Sequence, residues 1–146
     1  MKDLLTIIET LADYAPLTKD PDLLTEYVRQ ALARKITEKY VTQDGRIPVV
    51  ALAPELEQLL TESIHQSQQG TFLAVDPETA QRILNATEKM LGKFEMINMP
   101  PTILCSPLVR GHLRRFLEKF IPNVTALSHN EIDPKAKIYS LGTIGI

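Results

Sequence analysis

The stretch from Pro101 to Ile132, PTILCSPLVRGHLRRFLEKFIPNVTALSHNEI, constrains this chain more than any other. Thr102-Ile-Leu-Cys105 is a short apolar run with a double proline before it and Ser-Pro after it, which predicts a buried strand. Ser106 is suited to an N-cap and Pro107 to the first helical position, where a missing N–H has no helical partner to lose. Leu108, Val109, His112, Leu113, Phe116, Leu117 and Phe120 then recur at helical spacing on one side. Arg110, Arg114, Arg115 and Lys119 fall mostly on the other. Pro122-Asn123 is expected to end that helix, and Val124-Thr-Ala-Leu127 reads as a second strand. Strand, amphipathic helix and strand within about 30 residues predict a βαβ unit with parallel pairing and a right-handed crossover.

Upstream, Leu4, Leu5, Ile7, Ile8, Leu11, Ala12 and Ala15 repeat at helical spacing from Lys2 to Tyr14, and Pro16 stops the pattern. Asp20-Pro21-Asp22 supplies a cap, an N1 proline and an acidic first turn. The helix it opens carries Leu24, Tyr27, Val28, Ala31, Leu32 and Ile36 and is expected to run to Tyr40. Two such helices make a hairpin in which neither buries its stripe alone. After the turn signal Gln43-Asp-Gly45, Arg46–Leu52 reads as a strand whose Pro48 suits an edge or a strand start.

Pro54 opens a helix with Leu56, Leu59, Leu60 and Ile64, followed by a polar loop from Ser63 to Gly70 and a short strand at Phe72–Val75. Asp76-Pro77-Glu78 starts a further helix that Gly92 is placed to close from a C′ position. Lys93 to Met99 fits either a short strand or a connector, and Lys137–Ile146 is a last strand weakened by Gly142 and Gly145. The expected fold is therefore α+β / α/β. A helical hairpin subdomain (1–44) precedes a small α/β subdomain (45–146) with a βαβ unit and a mixed sheet.

An apolar fraction of 44% with 23% charged residues supports a real core, and a net charge of −2 argues against nucleic acid. The single cysteine permits no internal disulfide, and no Cys/His spacing suits zinc, so no metal or cofactor is expected. Lys2-Asp3 leads straight into an amphipathic pattern, so no signal peptide is expected, and no apolar run approaches the roughly 20 residues of a membrane span.

Each candidate site has a plain alternative. Cys105 and Arg110 flank a strand–loop–helix in the manner of cysteine phosphatases. The spacing is Cys-x4-Arg, one residue short, with no glycine between and with Pro107 removing an amide the loop needs. A buried thiol packing as a small hydrophobe is the better reading. Ser128-His129, Glu131 and Asp133 suit a turn with local backbone bonds, and no G-x-S-x-G elbow is present. Arg110, Arg114, Arg115 and Lys119 form a basic helix face that an acidic partner could use, or simply a solvated face interrupted by Glu118. Glu9, Asp13, Glu26, Arg29 and Arg34 line polar helix faces of the hairpin, where they could pair between subunits of an assembly.

Three ordered blocks carry a resemblance. Ile7-Ile-Glu-Thr-Leu-Ala-Asp13, Leu23-Leu-Thr-Glu-Tyr-Val-Arg-Gln-Ala-Leu-Ala-Arg34, and Thr102-Ile-Leu-Cys-Ser-Pro107 continued through Arg110, Leu113-Arg-Arg115 and Val124–Ile132 resemble the C-terminal cytoplasmic domain of the FlhA family. That family forms the export gate of flagellar and virulence type III secretion systems. The resemblance covers the whole chain but only the last two of the family's four cytoplasmic subdomains, so a fragment of a longer protein is expected rather than a truncated paralogue. It implies a non-enzymatic docking platform at the cytoplasmic face of the inner membrane. The family assembles as a ring, commonly nine-fold, that receives chaperone–substrate complexes and export subunits from the ATPase complex. The family's main chaperone pocket lies largely outside the matched part. The LADYAP and LLTEYVRQALAR segments favour the flagellar branch. The competing readings are a regulatory paralogue that binds acidic partners through Arg110, Arg114 and Arg115, and a thiol or phosphate-handling enzyme using Cys105 and Arg110.

Overall fold

In the computed structural model, which describes residues 2–146, Thr102–Cys105 is a wholly buried strand followed at once by a helix, Pro107–Glu118. In chain order the elements are α1 (Lys2–Tyr14), α2 (Pro21–Ala31), α3 (Ala33–Tyr40), β1 (Arg46–Leu52), α4 (Pro54–Glu62), β2 (Ile64–Ser67), β3 (Gly70–Leu73) and α5 (Pro77–Leu91). A 3-10 segment, Gly92–Ile97, leads to β4 (Thr102–Cys105), α6 (Pro107–Glu118), β5 (Thr125–Ser128), a short 3-10 turn at His129–Glu131 and β6 (Lys137–Ile144).

The βαβ unit forms as the pattern demands. β4 and β5 pair in parallel, Ile103 opposite Ala126 and Leu104 opposite Leu127, with α6 between them in sequence. Strand order is β5-β4-β1-β6, all parallel, and β2 pairs with β3 as a separate antiparallel ribbon. Alternation along the central strands divides the core. Val50, Ile103 and Cys105 meet Leu56, Ile83 and Leu113 of the flanking helices on one face. Ile47, Val49, Leu104 and Leu127 meet Ile36 and Tyr40 of α3 on the other.

Several local expectations change. The second helix does not run to Tyr40: it breaks at Leu32 (φ −99, ψ 14), whose N–H is shared between the Val28 and Arg29 carbonyls. The break lets α2 stack on α1, Tyr14 against Tyr27 at 4.0 Å, while α3 turns Ile36 and Tyr40 onto the sheet. Pro48 sits in an interior strand, not at an edge. On the β4 side the paired residues are Val50 and Ala51, beyond the proline, while on the β6 side Pro48 lies opposite Tyr139. Part of the polar stretch Ser63–Gly70 is a strand rather than a loop, its turn held by the Ser67 hydroxyl donating to the Gly70 carbonyl at 3.0 Å.

Gly92 keeps a right-handed conformation (φ −58), and the helical path continues as 3-10 turns to a cap at Asn98, whose φ of 52 is left-handed. The Lys93–Met99 ambiguity is thus settled as a connector, most of it 3-10 helical. The last helix stops at Glu118, ahead of Pro122. In β6 the pairing skips Leu141 between Ser140 and Gly142, a bulge that Gly142 accommodates with φ +143.

Candidate functional site

Cys105 offers no reactive thiol. It is fully buried, and burial, helped by the nearby Glu57 carboxylate, holds its pKa well above the ordinary range, which keeps it protonated. The Ser106 side chain makes no cap bond; its N–H donates to Glu57 Oε1 at 3.0 Å, so a carboxylate already occupies the position a phosphate would take. The Arg110 guanidinium is already taken up by Glu26 and the Ala126 carbonyl. The arrangement contradicts a thiol or phosphate-handling site.

Arg110 also departs from the expected basic face. It is 6% exposed and lies under α2, with Nε donating to Glu26 Oε1 at 2.9 Å and Nη2 to Glu26 Oε2 at 3.1 Å. Its Nε is 3.4 Å from Glu131 Oε1, and Nη1 donates to the Ala126 carbonyl at 3.4 Å. Glu131, with no exposed surface, takes two further bonds from Arg29, Nε at 2.9 Å and Nη2 at 2.7 Å. Burial pulls the Arg29 guanidinium down, but its bond and charge contact with Glu131 outweigh this and leave its pKa raised. Thr37 completes the cluster by donating to the Glu131 carbonyl at 3.0 Å and accepting from the Asp133 N–H at 2.9 Å. Two carboxylates and two guanidiniums are thereby matched across the seam between the helical hairpin and the α/β part.

Glu26 and Arg29 consequently face inward, which corrects the expectation that they line an outer polar face of the hairpin. Glu9, Asp13 and Arg34 remain on its exposed surface. Arg114 pairs with Glu118 at 2.9 Å on an exposed helix face, and Lys119 is exposed just beyond that helix. The basic face therefore contains Arg114, Arg115 and Lys119 without Arg110.

Arg115 belongs to a second polar chain. Its Nη2 donates to His112 Nδ1 at 3.2 Å, His112 Nε2 lies 3.4 Å from the Thr71 hydroxyl, and that hydroxyl donates to Asp22 Oδ2 at 2.8 Å. Burial first and the Arg115 charge second lower the His112 pKa, so the ring is neutral at neutral pH. A proton on Nε2 then satisfies both ring nitrogens. Above these bonds lies a cleft of about 430 Å³ bounded by α2, the β2–β3 ribbon and α6, with Arg110 and Glu26 at its base.

Asp22, Thr37, Thr71 and Glu131 carry no local signal of these roles, because their partners lie far away in sequence. Arg110 did have one. It precedes Leu113 and Leu117 by three and seven residues, which puts it on the buried row.

The structure thus defines an α/β fold with a charged seam between its helical hairpin and its parallel sheet and an open cleft beside that seam. Residues 1–137 match the FHIPEP family, and the chain belongs to it. The flagellar biosynthesis protein FlhA of Bacillus subtilis (strain 168) is 34% identical over all 146 residues, which cover 22% of its length. The Yersinia enterocolitica FlhA is 38% identical over the whole chain and 20% of its own length. The chain thus spans about a fifth of the curated relatives it matches.

Among solved structures, the Chlamydia pneumoniae CdsV protein superposes with a TM-score of 0.89 at 35% identity, covering 99% of this chain and 41% of that one. The nonameric EscV cytosolic domain from the type III secretion system gives 0.71 at 33% identity, covering 100% and 43%. No helix among the described residues is long and apolar enough to cross a membrane.

Proposed function

We propose that this chain is part of the cytoplasmic portion of a flagellar type III export gate, acting without catalysis as a ring-forming docking platform. The observation that carries the proposal is similarity over the full chain, in sequence and in fold, to FlhA proteins and to cytosolic domains described as nonameric. A complex of the CdsV and CdsO proteins of Chlamydia pneumoniae, whose CdsV chain matches with a TM-score of 0.85, supports export-apparatus proteins as partners. Chaperone–substrate complexes and the export ATPase complex are the further partners of this reading.

The surface of α1 fits an assembled state. Leu4, Leu5 and Ile8 are exposed in a row on a helix that nevertheless keeps helical apolar spacing, which suits burial against further protein. Glu9, Asp13 and Arg34, exposed on the hairpin, are candidates for contacts between subunits, and Arg114, Arg115 and Lys119 remain candidates for an acidic partner.

Cell fractionation tests the proposal. An antibody against this chain should detect a band several times heavier than 16.4 kDa confined to the membrane fraction. A band of the chain's own size in the soluble fraction would instead mean a free-standing protein and would overturn the gate assignment.

A further inference from the structure

We propose that the cleft between α2, the β2–β3 ribbon and α6 docks a partner segment that presents a basic side chain beside an apolar one. The site is a property of this chain and does not depend on the export-gate reading.

The walls come from three elements and fall into two kinds. Leu23, Ile64 and Leu108 form an apolar lip, and Leu108 is 62% exposed although it opens a helix whose other apolar residues are largely buried. Asp20 and Asp22 stand on the α2 side of the opening, opposite Arg115. Two carboxylates face one guanidinium, while Arg110 and Glu26 neutralise each other beneath them, so one negative charge is left uncompensated. Arg115 reaches Asp22 only through contacts of 3.4 Å, with its side chain half exposed. That bond is weak enough for a lysine or arginine of a partner to compete for the same oxygens.

An anionic ligand finds much less. The N-terminus of α6 already receives the Glu57 carboxylate at Ser106, and the N-terminus of α2 is capped by Asp20 itself. His112 has both ring nitrogens engaged, by Arg115 and by Thr71. At about 430 Å³ the cleft lies within the roughly 300–1,000 Å³ range of ligand sites.

Titration of the full 146-residue, nitrogen-15-labelled chain with the peptide acetyl-Gly-Leu-Lys-Leu-Lys-Gly tests the proposal, against the same peptide with glutamate replacing lysine. The lysine peptide should bind and shift the amides of Leu23, Ile64, Thr71, Leu108 and Gly111, and the glutamate peptide should bind at least about tenfold more weakly. Asp20→Asn keeps the cap and removes one charge, and should weaken binding about threefold. Leu108→Ser alters an exposed residue, leaves the fold intact, and should weaken binding about tenfold. Binding of the glutamate peptide as well as the lysine one, shifts centred elsewhere, unchanged affinity in both variants, or no binding at all would each overturn the proposal.

Discussion

Arg110 and Glu26 lie 84 positions apart in the chain, yet their side chains meet at 2.9 Å with both almost wholly buried. The pair joins α6 of the α/β part to α2 of the hairpin, and Glu131 extends it to Arg29. Removing one partner leaves a buried charge without compensation, which typically costs about 3–5 kcal/mol. Arg110→Met should therefore lower the urea unfolding midpoint sharply. Adding Glu26→Gln should recover part of the loss. A midpoint shift no larger than that of an exposed control such as Arg114→Met would contradict this account.

The hairpin is held differently from the sheet. No residue of α1 or α2 belongs to either apolar cluster; their bonds to the α/β part are the charged seam and the Asp22 contacts. Amides of α1 and α2 should therefore exchange through a local opening well below the cost of global unfolding. Hydrogen-exchange mass spectrometry should show them losing protection before β1 and β4, and Glu131→Gln should widen the gap. Equal protection of hairpin and sheet would count against a polar seam.

Acid should act through His112. Its pKa is held below the ordinary value by burial and by Arg115, with Asp22, Asp20 and Glu26 opposing. The unfolded chain then binds more protons between the two pKa values, so this contribution is complete above about pH 6.5 and declines as pH falls through the ordinary histidine value towards the lowered one. Thermal unfolding midpoints of the wild type should fall between about pH 7 and pH 5, and His112→Gln should flatten part of that slope. Identical slopes would remove His112 from the acid response.

Gly142 gives a backbone test. Its φ of +143 disfavours any side chain, and a Cβ there would run into the end of the Met90 side chain. Gly142→Ala should cost about 1–3 kcal/mol, read by chemical denaturation. Because the terminal methyl of Met90 can swing aside, adding Met90→Ala should restore little of it. Full rescue would mean that contact, not backbone strain, dominates.

The βαβ unit was legible because its signals are local: prolines, turn residues and periodic apolar runs next to one another. The break at Leu32 was not, since no glycine or proline marks it and the gain comes from seating Ile36 and Tyr40 on a sheet formed much later in the chain. The β2 strand was hidden because most of its residues are exposed and polar, leaving no alternation to read. The same distance effect obscured the seam. Glu131 looked like a turn residue because its bonding partners on α2 and α6 are invisible to local spacing, and Leu108 looked like core because helical periodicity cannot tell which rows a neighbouring element leaves uncovered.

The measurement closest to the central claim is protein export by the source cells after removal of the coding segment for residues 1–146. The culture supernatant should lose its flagellar export substrates while these proteins accumulate inside the cells, and re-expression carrying Arg110→Met should restore export only partly. Unchanged export after the deletion would contradict a role in the gate.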